Sequence, residues 1–147
     1  MRPQRVHLLA SVAVIAVAVT LSLGATCRSA PRHTAHLSLN AFAHALLGVQ
    51  QGELALYQAG QVSAEAHATI TAKLVTVATL ADQAQVALDL WTPGDPVPRV
   101  VGTVMTAAKD LVHQVLALIP ADPVVQANIQ AVYDAIADVL ILVAGGA

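Results

Sequence analysis

The stretch SAEAHATITAKLVTVATLADQAQVALDLW, Ser63 to Trp91, places apolar side chains at Ile70, Leu74, Val77, Ala81, Ala84, Leu88 and Trp91. These steps of four and three run without a miss, the spacing that collects side chains on one face of an α-helix. Ser63 stands where an N-cap is needed, so the stretch predicts a long amphipathic helix beginning after it. One apolar stripe needs others to be buried against. Working outward, three more are found. Before it, from about Leu37 to Ala59, Leu39, Phe42, Leu46, Val49, Leu56 and Tyr57 lie on one side, and Gly60 supplies the C-cap. After it, TPGDPVP (92–98) breaks the pattern, and Val101, Val104, Ala108, Leu111, Val115 and Leu118 form a third stripe that Pro120 stops. Asp122 and Pro123 then read as N-cap and first helical residue of a fourth helix, with Val125, Ile129, Val132, Ile136, Val139 and Val143 on its stripe. Connections of a few residues favour neighbours that run in opposite directions. The expected fold is therefore all-α, an antiparallel up-down-up-down four-helix bundle over residues 37–147, centred on Leu46, Leu74, Leu111 and Ile136.

Composition agrees. Ala makes up about a fifth of the chain, which favours helix over strand. The 121 residues from Cys27 onward suffice for one domain with a core and are too few for two ordinary ones. Five basic residues follow the N-terminal segment, Arg28, Arg32, Lys73, Arg99 and Lys109, against nine acids, a balance of −4 with His neutral. Nucleic acid is not an expected partner, because binding it needs a dense basic face. The single Cys excludes an internal disulfide and a Cys-rich zinc site. Each helix holds ionisable residues such as Glu53, Lys73, Lys109 or Asp134, so none is expected to cross a membrane.

The first residues have a different character. Arg2 and Arg5 precede LLASVAVIAVAVTLSLGA (8–25), eighteen residues without a charge. A basic segment followed by an apolar one is the order of an export signal. Eighteen helical residues span about 27 Å, a little under the ~30 Å of a hydrocarbon core and longer than a usual signal core. Residues 1–26 are thus a signal peptide or a membrane anchor, and 27–36 a polar tether. The end of this segment, Leu23-Gly24-Ala25-Thr26-Cys27, resembles a bacterial lipoprotein lipobox, with Gly24 where Leu is usual and Thr26 where Gly, Ala or Ser is usual. The resemblance covers residues 1–27 and implies lipidation of Cys27. Cleavage after Ala25 and retention of the segment are the alternatives. All three place the bundle outside the cytoplasm, at or beyond a membrane surface.

No catalytic residue, metal site or cofactor is expected. Two Glu in all cannot furnish a di-iron bundle. Ser38 and Ser63 sit at predicted helix starts, where capping explains them. His33, His36 and His44 share a polar face of the first helix with Asn40 and Gln51, and His113 lies on the polar side of its own helix beside Lys109 and Asp110. Two features stand out. Gln50 and Glu53 fall near the centre of the first apolar face, where a charge needs a partner. In a hairpin that turns near Gly60 and Gln61, residue 53 stands level with residue 67, so Glu53 and His67 are expected to form a buried polar pair. Ala41, Ala45, Gly48, Gly52 and Ala55 form a seam of small residues that lets another backbone come close, within the bundle or in a homo-oligomer. The function expected is non-enzymatic: a membrane-tethered extracytoplasmic bundle acting through protein contacts, as an envelope or assembly component. The alternative is a small-ligand or metal-binding bundle with a cavity lined by Glu53, His67 or Met105, including a His67–Met105 haem pair.

Overall fold

The computed structural model describes residues 30–92 and 94–145. They form four helices, α1 (Ala30–Gln58), α2 (Ala64–Leu90), α3 (Arg99–Leu116) and α4 (Pro123–Gly145). No strand occurs among the described residues. Helix α1 packs on α2, α2 on α3 and α3 on α4, while α1 also lies along α4, so the four enclose one apolar core. The α1–α4 and α2–α3 contacts are the more extensive.

Local chemistry sets most boundaries. Ser63 Oγ accepts from the Ala66 backbone N–H at 3.1 Å and opens α2. Asp122 Oδ1 accepts from the N–H groups of Val124 and Val125, at 3.0 and 2.9 Å, and opens α4 with Pro123 in first position. At the end of α1, Gly60 takes φ +74°, and the N–H groups of Gly60 and Gln61 return to the carbonyls of Tyr57 and Leu56. This paired closure needs a left-handed residue, which Gly adopts without a Cβ penalty. On α2 and α3, Thr69, Thr76, Thr79, Thr103 and Thr106 donate their hydroxyls to the carbonyl four residues back. Exposed as these residues are, their protons are turned onto their own helix.

Two boundaries depart from the expectation. Helix α1 starts at Ala30, so 30–36, read as tether, form its first turns. Polarity suggested a linker there, but Ala35 is buried and Arg32 Nη2 donates to the Asp89 carbonyl at 2.6 Å, contacts that the end of α2 provides. Ser38 is consequently a buried residue inside α1 and not a cap. Helix α3 ends at Leu116, which leaves Leu118 outside the helix and exposed. Val101, Val104, Ala108 and Val115 of the predicted α3 stripe are buried, but Met105 and Val112 are fully buried beside them while Leu111 is half-buried, so the core face extends toward 105 and 112 and Leu111 is not at its centre.

The remaining stripes hold. Phe42, Val49, Ile70, Leu88, Ile129 and Ile136 are among the largest fully buried side chains. The middle of the small-residue seam, Ala45, Gly48 and Gly52, faces inward. A Cβ built on Gly48 would come within 2.6 Å of the Asn128 side chain, and one on Gly52 within 2.5 Å of Val125 Cγ2. Gly48 and Gly52 are therefore where α4 approaches α1, which explains how extensive that contact is. Ala41 and Ala55, the outer members of the seam, are exposed. Helix α4 is long and apolar enough to cross a membrane by length and composition, and one stripe of it, Val125, Ile129, Val132, Ala135, Ile136 and Val139, is buried against its neighbours.

Candidate functional site

The sequence places Glu53 one turn before the end of α1 and His67 in the first turns of α2, and the fold brings them together. His67 Nδ1 donates to Glu53 Oε1 at 2.9 Å and lies 3.0 Å from Oε2, so one N–H serves both oxygens. Glu53 is 2% exposed, whereas the His67 side chain is 28% exposed and links the carboxylate to the surface. Tyr57, one turn after Glu53, stacks on the imidazole with ring centroids 4.1 Å apart and planes 5° from parallel. The stack holds the ring flat while the carboxylate fixes which nitrogen carries the donor. Burial of Glu53 without such a donor would be costly.

Chemically this is an imidazole oriented by a carboxylate, an arrangement found in general bases and in metal-ligating histidines. Both uses need further groups. Ser63 Oγ is engaged in capping, and among the described residues there is no group of three or more His, Cys, Asp or Glu that could hold a metal ion. Met105 is fully buried in α3. Two hollows stand out among the described residues. One is a void of about 10 Å³ lined by Ala35, Leu88, Trp91, Val97, Val101, Val139, Leu142 and Val143, barely the room one water needs and without polar partners for it. The other is an open groove of about 320 Å³ between Lys109 on α3 and the Tyr133–Ala144 side of α4. Neither is lined by Glu53, His67 or Met105.

A second polar cluster escaped the sequence reading. Gln85 Nε2 donates to His36 Nδ1 at 2.9 Å and to Asp89 Oδ1 at 3.0 Å, and His36 Nε2 lies 3.7 Å from Asp89. With the Arg32–Asp89 bond, it ties the start of α1 to the end of α2. The signal was available, since 36 and 85, like 32 and 89, mirror each other about the same turn that pairs 53 with 67. His33, His44 and His113 are exposed, and Gln50 is half-buried. Tyr133 carries the one buried hydroxyl among the described residues without a hydrogen-bond partner. Burial raises its pKa, and the nearby Asp110 charge adds to the effect. Cys27 lies outside the described residues.

Compared with protein-family models, curated proteins and solved structures, the chain matches none.

Proposed function

We propose that the protein is a non-enzymatic bundle of the antiparallel up-down-up-down kind, held on the outer side of a membrane by its N-terminal segment and acting through protein contacts as an envelope or assembly component. The observation that carries this reading is the uncharged run 8–25 behind Arg2 and Arg5, which ends five residues before α1 begins. The bundle supports it from the other side. Its buried carboxylate is satisfied internally by His67, which fits a pair that specifies the fold. The mirror pairs 32–89, 36–85 and 53–67 favour opposite directions for α1 and α2.

Cys27 is the residue at which a lipoprotein signal would end, and multiple acyl chains there would hold the domain far more firmly than one. The test is the mass of the mature protein together with incorporation of labelled palmitate. Export predicts loss of Met1 or recovery of the chain with membranes on the extracytoplasmic side, and lipidation predicts label that Cys27→Ser abolishes. A cytoplasmic protein with Met1 intact refutes the reading. A Cys27→Ser protein that matures identically refutes the lipid while leaving the tether.

A further inference from the structure

The void lined by Ala35, Leu88, Trp91, Val97, Val101 and Val139 joins the start of α1, the end of α2, the 92–98 connection, the start of α3 and the last turns of α4 at one end of the molecule. Five of the ten large apolar side chains exposed among the described residues stand around this end, at least one from each helix: Leu37 (53%), Val86 (57%), Leu90 (81%), Val100 (47%) and Ile141 (67%). Beyond Asp138 the chain has no polar side chain at all, VLILVAGGA (139–147). The seven helical residues 139–145 make an apolar tip about 10 Å long. Arg32 and Arg99, the arginines among the described residues, also belong to this end. Three of the nine carboxylates accompany them. Asp89 is bonded to Gln85, and Asp95 lies in the connection, where its carbonyl accepts from Trp91 Nε1 at 2.9 Å. Asp138 stands on α4 beside Val139, and the other six carboxylates lie on the remainder of the bundle.

The same end receives the N-terminal segment. Four residues, Thr26 to Ser29, separate Ala25 from the first residue of α1. Fully extended, the five Cα steps from Ala25 to Ala30 reach at most about 18 Å. A bundle joined so closely to a membrane-held segment cannot stand away from the bilayer, and it turns its most apolar end toward it. We infer that this end is a membrane-docking surface: Leu90, Ile141 and their neighbours enter the lipid interface, to the ~5–10 Å depth at which amphipathic surfaces sit, while the exposed Arg99 extends to the headgroups. The inference rests on the tethered reading and adds an orientation to it, with the Glu53–His67 half pointing away from the membrane.

Trp91, the only tryptophan of the chain, lies at this end and reports on it. The full chain is reconstituted into phosphatidylcholine vesicles whose acyl chains are either plain or brominated, and flotation and Trp91 emission are read together. The chain is expected to float with both vesicles and to lose emission in the brominated ones. Leu90→Asp and Ile141→Asp, at exposed positions and with helix content checked by circular dichroism, are expected to float equally and recover emission. Flotation with equal emission in both vesicles overturns the docking and leaves the tether standing. Failure to float overturns the tether and the docking with it. Equal emission together with a cross-linked dimer that Leu90→Asp abolishes assigns the end to a second copy and likewise overturns the docking.

Discussion

A carboxylate that is 2% exposed needs a donor, and Glu53 has the one N–H of His67 for both its oxygens. Removing the donor strands the acceptor, so His67→Ala is expected to cost more than Glu53→Gln, whose amide oxygen still accepts. In a double-mutant cycle followed by urea unfolding, the pair should show a coupling of about 1–3 kcal/mol, and additive effects would refute it. Tyr133 is the opposite case, a buried hydroxyl with no partner. Tyr133→Phe removes an unsatisfied group and should leave stability at neutral pH unchanged or raised. The raised pKa gives the phenol a pH signature. Because the folded state favours the neutral form, its contribution is fully present below the unfolded value of about 10 and is lost as pH rises from there through the folded value. Tyr133→Phe should therefore flatten the alkaline fall in stability, as thermal melts between neutral and strongly alkaline pH can check. The Glu53–His67 pair was legible in sequence because a charge at the centre of an apolar stripe is conspicuous. The Tyr57 stack was not, since Tyr57 read as one more member of that stripe.

Among the elements, α1 and α4 meet where two glycines remove the side chains that would keep them apart. Each Gly→Ala change gains up to about 1 kcal/mol of helix propensity and adds a Cβ, so the neighbour decides the sign. At Gly48 the obstacle is the flexible, half-buried Asn128 side chain, which can swing aside. Gly48→Ala should change stability by less than about 1 kcal/mol. At Gly52 the obstacle is Val125, β-branched and 1% exposed. Gly52→Ala should cost about 1–3 kcal/mol, and a melt unchanged from the parent would show that the close approach is not needed. For α2 and α3 the contrast lies in burial. Leu74→Ala should cost about 2–5 kcal/mol, and half-buried Leu111→Ala less than that. Helix number and type followed from periodicity, and caps at Ser63, Gly60 and Asp122 marked ends that sequence could supply. The start of α1 was hidden because the contacts that extend it, Ala35 on the core and Arg32 on the Asp89 carbonyl, come from residues far along the chain. On α3 the place of Val112 was hidden because Leu and Val flank one another there, and a stripe through Leu111 scores as well as one through Val112.

For the molecule as a whole, the all-helical arrangement was readable from four stripes, whereas which helices mesh most extensively was not, since that depends on side-chain relief. The relief divides the bundle in a definite way. Helix α1 meshes with α4 and α2 with α3, and these two couples meet along narrower contacts. Of the side-chain hydrogen bonds that join different helices among the described residues, those of Arg32, His36 and Glu53 all cross from α1 to α2. The α1–α2 boundary is thus a shear plane with three detents. Alanine-rich surfaces slide over one another with little change in shape, but a slip of one helical turn, about 5.4 Å, would break all three bonds at once and leave Glu53 facing hydrocarbon. The polar contacts convert a smooth track into a single stop. If they were removed together, the bundle would be expected to retain its helices and lose its uniqueness, visible as broadened amide resonances confined to α1 and α2.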